Sequence, residues 1–324
     1  MDQRAVAAVV TDPRRAADTP RFVTDRRRWL QLALAAIWII DGLLQCQTFM
    51  FTPSFAKNFL GVGGGGDPAW VTASIHWAWG IVAASPVLGN AAFATLQLAL
   101  GFAISWRPAV KVGLAASIVW SLVVWWFGED LGGLLSGHAG ALSGAPGAVL
   151  LYAILAVLLW PTGRDTSTTF VAAQSLGLRT AKVVWLVLWV GLASLNIQPA
   201  NLSADAVHSM VAGMGERQPG WVAGLVNGFA ALSAHHGAGL NIAGAVVLAL
   251  IGVGIFLPVR WIGVVVVAAI VVSAFIWVIG QALGEVFGGE STDINSGPLL
   301  ALIALAYWPS RPPAVPAQTA GAKP

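Results

Sequence analysis

The chain has 324 residues, 57% hydrophobic and 10% charged, with a formal net charge of +3 and a mean hydropathy of +0.77. Soluble domains carry about 25% charge, so this composition excludes a water-soluble globule and a disordered chain, and the one cysteine, Cys46, excludes a disulfide scaffold. Seven of the 17 Lys and Arg fall within the first 28 residues, so the basic excess is local and does not indicate a nucleic-acid partner.

An all-α integral membrane protein remains, with the lipid bilayer as its first partner. Residues 1–28 carry Arg4, Arg14, Arg15, Arg21, Arg26, Arg27 and Arg28 and lack the apolar core and cleavage site of a secretory signal. They are read as a cytoplasmic tail. A span needs roughly 20 apolar residues. Candidates are 30–50, 88–106, 109–127, 147–161, 183–199, 239–257, 261–280 and 298–309. Pro108 and Pro258 fall in tight turns between spans. Residues 70–106 form one apolar stretch of about 55 Å if helical, too long for a single span, and Pro86 divides it. Residues 221–257 repeat the pattern, with the break at Gly237.

Charge sets the number of spans. Eight spans place 15 basic residues inside and only Lys57 and Arg217 outside. Ten would move Arg107 and Lys111 outward. The positive-inside rule favours eight. Residues 70–85 and 221–236 are then expected as interfacial or re-entrant helices on the outer side. Residues 162–179 become a cytoplasmic linker and 310–324 a second cytoplasmic tail. Arg outnumbers Lys 13 to 4, and Ala, Gly and Val abound. This composition points to a GC-rich bacterial genome and a plasma membrane.

The chain also matches itself at a shift of 151 residues. Trp38 meets Trp189, Gln47 meets Gln198, Pro68 meets Pro219, Trp70-Val71 meets Trp221-Val222, and Asn90 meets Asn241. Gly128-x-x-Leu131-Gly132 then matches Gly280-x-x-Leu283-Gly284, and the halves close on Trp160-Pro161 and Trp308-Pro309. Shared membrane composition would match Ala, Leu and Val rather than Trp, Pro and Asn. Each half has four spans, an even number, so the two repeats, 29–161 and 180–309, are expected to be parallel, with a pseudo-two-fold axis along the membrane normal.

The run from Arg28-Trp29-Leu30 to Asp41-Gly42-Leu43-Leu44-Gln45, with a Gly-rich loop before a short last span, resembles the DoxX-like family of bacterial membrane proteins. The resemblance implies a four-helix bundle per half and a link to membrane redox processes, with quinone as the associated cofactor and an oxidoreductase or envelope protein as partner. The second half departs from the pattern, with Leu192 where Asp41 would recur.

Asp41 is the one acid expected inside a span, and intramembrane acids usually mark a site or a proton path. Trp38, Asp41, Gln45 and Thr48 follow helical spacing and are expected to form one polar stripe. Either Asp41 faces a ligand or it makes a structural hydrogen bond to a neighbouring helix. Glu129 and Asp130 follow Trp125-Trp126-Phe127 at the outer end of the third span, where they hold a quinone head group or simply end an aromatic belt. His76 is a further outer-face candidate. For a metal, Cys46 and Met50 share i, i+4 spacing, whereas adjacent His235 and His236 diverge by about 100° on a helix. Gly63–Gly66 is read as a linker, with no following Lys-Ser or Lys-Thr to make a phosphate loop. Three functions remain open. They are a non-catalytic redox-linked subunit, a small-molecule, ion or proton-coupled transporter, and an assembly or extracytoplasmic metal-handling protein.

Overall fold

The computed structural model describes residues 25–60, 66–162 and 169–310. Residues 1–24 and 311–324 of the two expected tails, 163–168 of the linker and Gly63 to Gly65 of the glycine run lie outside the described residues. Among the described residues every regular element is helical.

Helix α1 (Arg26–Leu44) starts at Asp25, whose carboxylate accepts a hydrogen bond from the Arg28 amide. The arginines here tie the start of α1 to its neighbours. The Arg28 guanidinium donates to the Ile104 and Ser105 carbonyls at the C-terminus of a neighbouring helix, where a cation complements the helix dipole. Arg27 donates to Gln174 Oε1 at 2.6 Å.

Next come α2 (Pro53–Leu60) and α3 (Ala69–Ala84), then α4 (Pro86–Ser105) and α5 (Val110–Phe127), then the short α6 (Ala148–Leu158). Pro86 opens α4 at a first-turn position, where its missing N–H costs nothing. The linker contains α7 (Val171–Leu176). The second half comprises α8 (Leu178–Asn196), α9 (Ala206–Ala212), α10 (Gly220–Ser233), α11 (Gly237–Gly254), α12 (Val259–Phe275) and α13 (Ser296–Ala306).

Among the described residues five stretches are long and apolar enough to cross a membrane: α4, 107–127, α8, α11 and 259–280. The last joins α12 to a single π turn, Ile276–Gly280. Helices α6 and α13 have 11 residues each, about 16 Å of helix. The loops before them bury Ala139, Ala141, Ala145, Gln281 and Ala282 inside the protein, the setting in which irregular backbone is tolerated at membrane depth.

Helix α1 packs on α4, α8 on α11, α5 on α6 and α12 on α13, while α6 and α1 both meet α13. One apolar core therefore contains Trp38 and Tyr152 together with Trp185, Trp189 and Tyr307. Small residues permit the close approaches, as in other membrane helix pairs. Gly101 of α4 lies against Ala35 and Ile39 of α1, and Gly252 of α11 against Trp189 and Val190 of α8. Gly132 and Gly284 have φ of +66° and +73° and press against the carbonyls of Pro146 and Ile294. Each lets a loop turn back beneath the start of the following short helix.

Candidate functional site

Trp38 and Asp41 of α1 meet residues of α5 and α6 at one spot. Trp38 Nε1–H donates to Ser117 Oγ of α5 at 2.9 Å. Its ring lies 4.3 Å from that of Tyr152 on α6. The Tyr152 hydroxyl donates to Asp41 Oδ2. Asp41 is 1% exposed. Its Oδ1 has no hydrogen bond of good geometry, although the Ile294 amide approaches the carboxyl. The structural reading of Asp41 thus accounts for one of its two oxygens.

Glu129 sits two residues beyond α5 and caps α6. Both carboxyl oxygens lie 3.2 Å from the Val149 amide, at a helix end that favours an acceptor. Burial, reinforced by Asp293, pushes its pKa up to about 8. It is therefore mostly protonated at neutral pH. Trp125 fixes the same junction by donating to the Pro146 carbonyl at 2.7 Å. The second half contributes Thr292 and Asp293. Asp293 accepts from the Asn295 amide at 2.6 Å and from Thr292 Oγ1 at 3.0 Å, and burial raises its pKa.

Of these groups Trp38, Asp41, Glu129, Thr292 and Asp293 line a cavity of about 340 Å³. Its walls are largely apolar and aromatic, including Phe55, Trp79 and Phe93. Its polar lining comes from Asp41, Gln45, Gln97, Trp120, Glu129, Thr292 and Asp293. Four buried polar atoms of these side chains lack a partner: Asp41 Oδ1, Gln45 Oε1, Gln97 Oε1 and Trp120 Nε1. Each such atom costs about 1–3 kcal/mol if left unmade, so the four in this cavity call for water or a ligand to pair with them.

The corresponding region of the second half lacks this chemistry. Leu192 stands at the position of Asp41 and Gln281 at that of Glu129. Gln281 keeps the cap: its Oε1 accepts from the Gly297 amide at 3.2 Å and its Nε2 donates to Ser296 Oγ at 2.6 Å. Trp277 donates to Ile294 as Trp125 does to Pro146. A recess of about 450 Å³ lies beside Asn196, Asn201 and Asn241, but these amides are engaged with Ala141, Ala139 and Asn201 respectively.

Other expected positions part company. Thr48 does not continue the polar stripe: α1 ends at Leu44, and Thr48 is exposed in a separate 3-10 turn. The i, i+4 relation of Cys46 and Met50 fails for the same reason, leaving Cys46 exposed and Met50 buried against Phe55, Ile75 and Trp79. His235 pairs with Asp205 at 3.1 Å and His236 Nδ1 with the Ala234 carbonyl at 2.7 Å. Among the described residues no group of three His, Cys, Asp or Glu is placed to hold a metal. His76 is exposed on α3 and is not part of the cavity lining. Asp130 is buried beside Asp67, outside the cavity, with its pKa raised to about 7 by burial and by that neighbour.

Sequence reasoning missed Tyr152, Gln97, Trp120 and Asp293. The polar residue after the glycine in both Gly128-Glu129 and Gly280-Gln281 marks the two helix caps and none of these four. No protein-family model, curated protein or solved structure matches the chain.

Proposed function

We propose that this is a DoxX-like, non-catalytic subunit of the bacterial plasma membrane whose first half binds the head group of a lipid-soluble quinone or quinol for a partner oxidoreductase. In this reading the chain has eight spans in two parallel four-helix halves, with both termini cytoplasmic. The paired features favour the two-fold arrangement: Gly101 with Gly252, Gly132 with Gly284, Trp125 with Trp277, and Glu129 with Gln281.

The observation that carries the reading is the set of unpartnered atoms inside an apolar, aromatic cavity. A quinone carbonyl accepts hydrogen bonds, which Trp120 Nε1–H and protonated Glu129 supply. A quinol hydroxyl donates, and Asp41 Oδ1, Gln45 Oε1 and Gln97 Oε1 are free to accept. The flat ring fits between Trp38, Trp79 and Phe93.

The test is a titration of the purified protein in lipid nanodiscs with a short-chain benzoquinone and its quinol, read by tryptophan quenching. Saturable binding at one site per chain is expected, weakened about tenfold by Asp41→Asn, which replaces a carboxyl oxygen with an amide group, and by Tyr152→Phe, which frees the Asp41 carboxyl from the hydrogen bond that positions it. Non-saturating quenching, or unchanged affinity in both variants, would sink the proposal.

A further inference from the structure

Resting on the quinone reading, we propose that the ligand enters sideways from the bilayer through a slot between α3 and α5, and that its chain remains in the slot. The site would then take a ring head group carrying an apolar tail.

The cavity has a polar end and an apolar end. Asp41, Gln45 and Gln97 are all buried at the polar end. The most exposed lining residues are Trp77 at 67% and Ile81 at 59% on α3, and Val123 at 41% on α5. All three are apolar, as a mouth facing lipid requires and a mouth facing water does not.

Two other approaches are covered by described residues. Phe55 of α2 is buried over the cavity. The Thr292–Asp293 loop is held down by Gln47 Nε2 donating to the Ser291 carbonyl at 3.1 Å and by Ser291 Oγ donating to the Gly284 carbonyl at 2.7 Å. The slot itself has fixed posts. Trp126 Nε1 donates to Ser74 Oγ at 2.9 Å and Trp79 Nε1 to the Phe127 carbonyl at 2.6 Å, and the Trp70 and Trp126 rings lie 5.7 Å apart.

Size gives the second argument. At about 340 Å³ the cavity is at the small end of ligand sites. It encloses a ring but not a long chain, which must leave through the apolar mouth. Moving a chain from lipid into an apolar slot gains little hydrophobic free energy, because lipid is as apolar as the slot. The slot therefore selects by route and shape rather than by adding affinity.

The experiment compares two probes on the protein in nanodiscs: a substituted benzoquinone with a decyl chain and the same ring without it. Affinities are corrected for partitioning into lipid. Ile81→Trp and Val123→Trp, singly and together, narrow the slot. The tailed probe should bind about tenfold or more weakly to the double variant, a loss of roughly 1.4 kcal/mol or more, while the tailless probe changes by less than threefold. Val123→Ala, which widens the slot with little risk to folding, should speed association of both probes, because both rings pass through it. Equal weakening of both probes by the tryptophan variants, or no change in either, overturns lateral entry while leaving the quinone site standing. If neither probe binds the unmodified protein, the quinone reading itself fails.

Discussion

Glu129→Gln separates the structural role of Glu129 from its charge. In the folded protein the Glu129 pKa is raised from 4.5 to about 8. Between those values the unfolded chain gives up the proton and the folded chain keeps it, so stability falls as pH rises. The contribution is fully present below pH 4.5 and gone above about pH 8. The limiting slope is about 1.4 kcal/mol per pH unit, the difference of one bound proton between the folded and unfolded chain. Glutamine carries no proton to lose, and Gln281 already performs the same capping task on α13. Denaturant unfolding in mild detergent from pH 5 to 8 reads the difference. The variant should fold, and its stability advantage over the unmodified protein should widen steadily across that range. Parallel curves, or a variant that loses ground as pH rises, would refute a protonated Glu129.

Three further substitutions and one label probe other parts of the structure. Gly101→Ala puts a methyl against Ile39 and the Ala35 carbonyl and should cost about 1–3 kcal/mol by overpacking. Gly191→Ala, facing open space, should leave unfolding unchanged or slightly improved. Ala269 stands in the second half where Ser117 stands in the first, and Trp189 Nε1 has no partner. Ala269→Ser should therefore supply one and raise stability by about 1 kcal/mol; a loss of stability would count against the two-fold arrangement. Cys46 is exposed just past the end of α1. A membrane-impermeant maleimide should label it from outside intact cells, and labelling only after lysis would reverse the assigned orientation.

Much of the helical layout was legible because apolar length and breaker residues are local signals. The expected 88–106 and 109–127 correspond to α4 and α5, and the breaks at Pro86 and Gly237 fall where α4 and α11 begin. The ends of helices were less legible. The first apolar run continues to Met50, but the chain leaves the helix at Gln45 and buries Met50 in a separate cluster, which took Thr48 out of the site. Helices α2, α7 and α9 are too short to show a period. The site was half legible. Asp41, Gln45 and Trp38 stand out on one helix face, and Glu129 stands beside an aromatic run. Tyr152 lies 111 residues from its partner Asp41, and nothing local marks that pairing. Asp293 reads as an ordinary loop acid until the loop before α13 folds over the cavity of the other half.

The most direct measurement is photo-crosslinking with a short-chain azidoquinone in nanodiscs, with the labelled residues mapped by mass spectrometry. Label on the α3 and α5 walls or on the 128–129 and 292–293 loops, competed away by unlabelled quinol and lost in Asp41→Asn, is the expected result. Label confined to the second half around Leu192 and Gln281, or label that excess quinol does not displace, would contradict a quinone site built on Asp41.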